Sequence, residues 1–390
     1  MKIASSVQIH LQKALKAANS LEPITFCGMY DCGISYIYSL AVPQLSSELR
    51  KDVIPLFADI SSKPDKTIDE LAFAVQRVYP NTKKPTDYLS FSRVIQELVQ
   101  KQKIVFILYL GQEGKLDPEL LPLLNRLRTL LGWKFSYCLF LTTRFLFLSP
   151  ASELMDNLIW QTAVPVLPRS PQDSRIVIQN YEQRRKKKVT KVQTDIIVSL
   201  SGGNPGLIKA LFLQAIENPA WQEADMLDEH LFYRLYGIAS DLPESYIRVL
   251  FHGAKRKGDD LIEDLLMRYG YTKKSKKTIV PFSPLLTHYI REYAGKTSVV
   301  ARQKQFKDDQ LVLRLSKSQR TVLAYLREHP GEIIPKDTIA QLLWGEDWHN
   351  KYSAWAIDQF ISTLRENLAS IHCPGKIVTK KGEGLIYLSQ

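Results

Sequence analysis

The first half of the chain alternates short apolar runs with stretches whose apolar residues recur every three or four positions. The first pattern predicts buried strands and the second amphipathic helices packed on them. Helices are predicted over residues 7–18, 35–42, 67–78, 91–101, 116–131 and 172–185. Strands are predicted over 24–27, 53–60, 103–110, 135–142 and 164–167. Thr67 and Asp69 suit the first turn of their helix. Strand precedes helix throughout, which is the order of an α/β protein with a parallel sheet covered by helices.

After Arg185 the texture changes. Arg184, Arg185, Lys186, Lys187, Lys188 and Lys191 form a basic run, followed by a helix over 195–200 and the turn Gly202-Gly203-Asn204-Pro205. Residues 217–293 read as short helices, a lysine-rich loop and an extended run. Residues 294–310 are polar and basic without an apolar period, so they read as a linker. The last 80 residues read as a strand, three helices and a terminal hairpin. The expected organisation is 1–218, 219–294, a linker at 295–310, and 311–390.

Composition adds a partner class. Of the 390 residues, 45% are hydrophobic and 24% charged, enough for a sizeable core and against wholesale disorder. Lysine and arginine number 52 against 40 acidic residues, a net +12. That excess suits a polyanion: nucleic acid, an acidic protein face or an anionic membrane. Cys27, Cys32, Cys138 and Cys373 fit no common zinc spacing and read as reduced, mostly buried thiols, so no metal site is expected. No stretch reaches the roughly 20 apolar residues of a membrane span, and the N-terminus lacks a signal core. A soluble cytoplasmic protein is expected, with no membrane partner.

Gly28-Met29-Tyr30-Asp31-Cys32-Gly33-Ile34-Ser35 stands between the first strand and the first crossover helix. Two glycines bracketing four residues, then a lysine position, then a hydroxyl is the spacing of a phosphate-binding loop. Backbone N–H groups can curl there around phosphate oxygens at a helix N-terminus. Ile34, however, occupies the lysine position and offers neither charge nor donor. The third strand runs into Gly111-Gln112-Glu113 without a carboxylate at its tip, and Asp31 would repel phosphate. Hydrolysis, nucleotide binding without hydrolysis and a structural relic remain three readings of this loop.

Two further segments point to a family. Leu139-Phe140-Leu141-Thr142-Thr143-Arg144 is similar to a sensor strand ending in Thr/Ser-Arg, and residues 200–207, with Gly202-Gly203-Asn204-Pro205, resemble a lid-helix entry. Over residues 20–218 the chain resembles a degenerate member of the STAND branch of AAA-like P-loop NTPases. The resemblance implies a P-loop NTPase fold and a nucleotide set of Gly28, Gly33, Ser35 and Arg144. It also implies a switch in which the lid repacks against the loop domain, with ATP or ADP as a ligand held without hydrolysis.

Residues 227–293 are similar to the winged-helix domain that follows many STAND NTPase domains. Its loops carry Lys255, Arg256, Lys257, Lys273, Lys274, Lys276 and Lys277, expected to contact phosphates. The last segment joins an amphipathic helix over 315–326, a second helix over 337–344 closing on Leu343-Trp344-Gly345, and a third over 354–368. A hairpin with Thr379, Gly382, Gly384 and Tyr387 follows. This segment resembles the effector domain of OmpR/PhoB-type response regulators. The resemblance implies a winged helix whose third helix enters the DNA major groove. Carried over by position, Trp355, Gln359, Thr363 and Arg365 face DNA, with Lys380 and Lys381 on the wing. Ten basic against eight acidic residues in 311–390 leave only +2, so phosphate neutralisation by this segment alone is expected to be modest.

The expectation is therefore a DNA-binding transcriptional regulator with double-stranded DNA as partner and a non-hydrolysing sensor or scaffold at its N-terminus. Its rivals are a protein-interaction scaffold, as a homo-oligomer or with another protein, and an active nucleotide-switched ATPase.

Overall fold

The computed structural model describes residues 2–61, 66–111, 117–148, 158–218, 221, 229–254, 256–275, 278–291, 317–345, 348, 354–370, 376–380 and 384–388. They fall into two compact units, Met1–Arg291 and Glu292–Gln390. The expected linker, and the strand expected at the start of the last segment, lie outside the described residues.

The first unit opens with helix α1 (Ser5–Ser20) and strand β1 (Ile24–Gly28), then α2 (Ile34–Glu48) and β2 (Val53–Asp59). Helices α3 (Thr67–Val78) and α4 (Tyr88–Leu98) lead to β3 (Lys103–Tyr109), and α5 (Leu120–Leu131) to β4 (Phe135–Thr142). Short helices α6 (Thr143–Leu148) and α7 (Leu158–Gln161) precede β5 (Ala163–Val166). The five strands are parallel in the order β2-β3-β4-β1-β5. β1, β4 and all but the first residue of β3 are buried, as expected of strands covered on both faces. The core beside β1 is aromatic: Phe26 stacks on Phe140 at 5.1 Å, and the His10 ring of α1 meets Phe26 edge-on at 5.6 Å.

Helices α8 (Pro171–Arg185), α9 (Lys191–Ser201) and α10 (Pro205–Glu217) follow the sheet. Each starts where a side chain takes up orphan N–H groups. Ser170 accepts from Asp173 N, Thr190 from Gln193 N, and Asn204 from Gly206 N and Leu207 N. Next come α11 (Glu229–Ser240), α12 (Glu244–His252), α13 (Asp259–Arg268), the hairpin β6 (Thr272–Ser275) and β7 (Thr278–Pro281), and α14 (Pro284–Tyr289). The extended run ends at Pro281, because Ser283 accepts the Leu286 N–H and caps α14. Similarly, α4 begins three residues earlier than periodicity predicts, since Asp87 and Ser90 form a reciprocal cap.

The second unit comprises α15 (Lys317–Glu328), α16 (Lys336–Trp344), α17 (Ala354–Ser370) and the hairpin β8 (Lys376–Lys380) with β9 (Gly384–Leu388). Ile334 bridges to Leu385, tying the turn before α16 to the hairpin. Val322, Leu323 and Leu326 of α15, Ile339 of α16 and Ile357, Ile361 and Leu364 of α17 form its core with Ile377 and Leu385 of the hairpin. Three helices and a two-stranded wing make this unit a winged-helix domain.

Candidate ligand cavity and nucleic-acid interface

Strand register builds the first site. Gly28 lies beside Thr142 of β4 and Val166 of β5, so the segments leaving three strands converge at one end of the sheet. In open α/β sheets this is the end where ligands bind. Loop 28–35 turns there on a Cys32 N–H to Met29 carbonyl bond of 3.1 Å and enters α2 through Gly33, whose φ of +91° favours glycine.

The position that carries lysine in a phosphate loop is filled by Ile34, which is packed into the core at 1% exposure. A different cation reaches the loop. Arg169, three residues beyond β5 and only 5% exposed, donates from Nη1 to Ser6 Oγ at 3.1 Å and from Nη2 to the Cys32 carbonyl at 3.5 Å. Ser6 passes the contact on, donating its hydroxyl to Asp173 at 2.6 Å. The Asp173 carboxylate also accepts the Ser5 and Ser6 N–H groups, both at 3.0 Å, and so caps α1. Although burial works against its charge, these hydrogen bonds hold the Asp173 carboxyl below the usual range. Burial pulls the Arg169 guanidinium down, and it pushes the neighbouring Cys32 thiol up to about 12.

The same loop is pinned from its other side. Asp31 forms an ion pair with Arg234 of α11, its carbonyl accepts the Gly206 N–H at 3.1 Å, and Asn204 Nδ2 donates to the Tyr30 carbonyl at 3.0 Å. Gly206 permits this approach, because a Cβ there would stand 2.4 Å from Asp31 Cβ. The Tyr30 N–H goes to Asp241 Oδ2 at 3.0 Å. Asp241 is 1% exposed, and desolvation lifts its carboxyl to about 8 against the opposing pull of Arg144 and the Tyr30 N–H.

Between loop, α8, α10, α11 and the N-terminal segment lies a cavity of about 290 Å³. Gly33 and Ser35 line it, whereas Gly28 and Arg144 do not. Gly28 sits beneath the loop, where a Cβ would collide with Cys32 Sγ at 2.4 Å. Arg144 acts on Asp241 instead. The four residues proposed from sequence as a nucleotide set thus split into two on the cavity and two behind it. Arg169, Lys209, Arg234 and Asp241 were not singled out by sequence reasoning. Arg169 in Leu167-Pro168-Arg169 directly after a buried strand was the one visible signal. Tyr109 and Leu110 at the end of β3 are buried and carry no carboxylate, while Glu113 lies outside the described residues. No group of three or more His, Cys, Asp or Glu among the described residues could hold a metal ion.

In the second unit, α17 turns Ile357, Ile361, Leu364 and Leu368 inward and leaves Gln359 and Thr363 exposed. Their spacing of four places both on one helix face. Arg365 is half-buried and engaged with the wing: Nε donates to the Ile377 carbonyl at 2.8 Å and Nη2 to Thr379 Oγ1 at 2.6 Å. The contact sets helix against wing. Lys380 is exposed. Lys381 lies outside the described residues, as does the side chain of Trp355, whose backbone opens α17. Of the basic loops in the first unit, Arg256, Lys257, Lys273 and Lys274 are exposed, and Lys273 Nζ donates to the Phe282 carbonyl at 3.1 Å. Lys255, Lys276 and Lys277 lie outside the described residues.

Residues 309–387 match the family model described as "Transcriptional regulatory protein, C terminal". That match and the three-helix wing architecture make the second unit a DNA-binding transcriptional-regulator domain. No curated protein sequence matches the chain. Among solved structures, a Walker-type ATPase of Pyrococcus abyssi is similar at 13% identity and a TM-score of 0.49, over 74% of this chain and 95% of that one. The ORC1 protein of Aeropyrum pernix in complex with DNA is similar at 11% identity and a TM-score of 0.38, over 99% and 88%. AMPPCP-bound DnaA from Aquifex aeolicus is similar at 12% and 0.38, over 78% and 90%. The strand order of the sheet stands on its own pairing. No helix among the described residues is long and apolar enough to cross a membrane.

Proposed function

We propose that this chain regulates transcription by binding double-stranded DNA through its second unit, and that its first unit is a STAND-like sensor or scaffold that does not hydrolyse nucleotide. The observation that carries the reading is the family match over 309–387 together with the face of α17. Gln359 and Thr363 stand exposed opposite a fully buried stripe, the arrangement a groove-entering helix needs. Gln359 can pair with adenine edges in the major groove, Lys380 can reach phosphate from the wing, and Arg365 holds the wing in place. With only +2 on residues 311–390, additional phosphate contacts come from Arg256, Lys257 and Lys274 of the first unit.

The absence of hydrolysis is supported by Ile34 packed into the core at the lysine position and by the apolar end of β3. The test is selection of bound duplexes from a random pool with the full chain, followed by affinity measured against salt. Enrichment of a common sequence and a negative log–log salt slope are expected. Failure to retain any duplex at low salt would sink the reading. Steady phosphate release from Mg-ATP, abolished by Gly33→Asp, would restore the ATPase alternative.

A further inference from the structure

We propose that the turn joining α8 to α9 is a second DNA-binding surface, which grips the duplex backbone through Arg185, Lys186, Lys187, Lys188 and Lys191 without reading sequence. The proposal rests on reading the chain as a DNA-binding regulator, and it names where the first unit takes hold of the duplex.

Charge density is the first argument. Residues 184–191 hold six cations and no carboxylate, a charge of +6 within a chain whose net is +12. Residues 311–390, which carry the DNA-binding domain, hold only +2. Affinity for a duplex grows with the number of phosphates neutralised, so the turn offers what the second unit lacks.

The neighbouring acids are committed elsewhere. Residues 171–201 contain Asp173, Glu182 and Asp195. Asp173 accepts from Ser5 and Ser6, Glu182 Oε1 accepts the Val189 N–H at 3.0 Å, and Asp195 pairs with Arg175 at 2.8 Å. Of the six cations Arg184 lines the cavity. The other five are exposed, and none of them forms an ion pair among the described residues.

Helix electrostatics does not account for the run. Cations are favourable at a helix C-terminus, which covers Arg185 and Lys186 at the end of α8. Lys187, Lys188 and Lys191 stand instead before and at the start of α9, where the dipole favours carboxylates. With the mutual repulsion of five exposed cations, this arrangement costs the fold stability, and an external polyanion offsets the cost.

The turn is also held in shape. Lys186 closes α8 in the left-handed region at φ +52°, Glu182 reaches across to the Val189 N–H, and Thr190 and Gln193 cap α9 reciprocally. The charges are therefore presented from a fixed corner. Neighbouring Cα atoms stand about 3.8 Å apart, and a duplex carries a phosphate for about every 1.7 Å of its axis, so the run spans several phosphates. A lipid surface fits less well. A helix lying on a membrane presents a row of apolar side chains beside its cations, whereas Val192 is the one large apolar side chain exposed on α8, the turn and α9. Since both units belong to one chain, the second contact is intramolecular and adds avidity.

Mobility shifts of the full chain at several salt concentrations, with the selected and a scrambled duplex, test this. Arg185→Gln, Lys187→Gln and Lys188→Gln combined should weaken both duplexes alike by about tenfold and make the log–log salt slope shallower by about two to three. Lys187→Arg with Lys188→Arg keeps the charge and should bind like the parent. Thermal melting verifies that each variant folds, and Lys188→Gln alone, with a slope change of about one, serves if the triple variant does not. Parental affinity and slope in the folded triple variant, beside a parent that prefers the selected duplex, would overturn the proposal and leave the DNA reading. Binding without any sequence preference, abolished in the triple variant, would remove readout by α17 and leave the turn. No shift with any duplex would remove both. Sedimentation with phosphatidylserine vesicles that the triple variant abolishes, at unchanged duplex affinity, would assign the turn to lipid and likewise overturn the proposal.

Discussion

The cavity of the first unit and the exposed face of α17 hold their polar side chains in opposite ways. In the cavity the cations are pre-positioned: Arg169 is 5% exposed and bonded to Ser6 and the loop backbone, and Arg234 is paired with Asp31. On α17 the candidate contacts, Gln359 and Thr363, are exposed and uncharged, and the cation beside them, Arg365, is committed to the wing. Buried cations cost desolvation and gain directionality; exposed ones cost little and are screened by salt. The first arrangement fixes the loop in place, and the second suits a long partner whose many phosphates add weak contacts. Substitutions at Arg169, Asp31 and Arg234 should therefore register in stability, and those at the exposed positions of α17 and the wing in binding alone.

The reference points are the two cores. Phe26→Ala, which removes a fully buried ring from between His10 and Phe140, should destabilise the first unit by about 3–5 kcal/mol. Leu364→Ala should cost the second about 2–5 kcal/mol. Denaturant melts of the full chain, followed by tryptophan fluorescence and far-UV circular dichroism, would measure both. Losses under 1 kcal/mol would show that these side chains do not bear the packing described.

The loop latch comes next. Arg234→Ala leaves Asp31 partly buried and unpaired, and should cost about 1–3 kcal/mol, less than a fully buried pair because each side chain is 21% exposed. Asp31→Ala with Arg234→Ala should cost less than the two single changes added, since neither charge is then stranded. A double-mutant cycle with additive terms would remove the latch from the account of the loop.

Asp241 allows a comparison by pH. Its folded carboxyl titrates at about 8, above the ordinary carboxylate value, mainly because burial penalises the charge. Between about pH 4 and 8 the folded chain keeps a proton that the unfolded chain has lost. Stability from this group is thus fully present below the unfolded pKa and falls as pH rises, by up to about 1.4 kcal/mol per unit. Asp241→Asn, which keeps an acceptor for the Tyr30 N–H, should flatten that slope. An unchanged slope in melts from pH 5 to 8 would mean that Asp241 is charged in the folded chain.

What could be read from the chain itself divides along the same lines. Strand β4 and helix α3 follow their apolar period to the residue, and the helices of the second unit agree to within two residues at either end, because each rests on contacts a few positions apart. The cavity rests on pairs far apart in sequence: Arg169 meets Cys32 across 137 positions, Arg234 meets Asp31 across 203, and Asp241 meets Tyr30 across 211. No local pattern marks such partners. The spacing of the glycines located the loop but could not tell that Ile34 packs inward while Arg169 arrives from β5. Nor could the Thr-Arg ending of β4 tell that Arg144 acts on Asp241 and not on the cavity.

The smallest expected effects are on the exposed side of the comparison, and they separate contact from fold most cleanly. Gln359→Ala should leave stability within about 0.5 kcal/mol, since surface changes away from special features rarely exceed that. If Gln359 reads a base, the same change should weaken the selected duplex about tenfold and relax preference at one position. Lys380→Ala should weaken all duplexes alike and lower the steepness of the salt dependence by about one phosphate contact. Mobility shifts at several salt concentrations, with the selected and a scrambled duplex, measure both. If Lys380→Ala changed sequence preference, or Gln359→Ala changed only the salt slope, the assignment of readout to helix and grip to wing would have to be reversed. Because both side chains are exposed and neither belongs to the core of the second unit, such a reversal could not be attributed to misfolding.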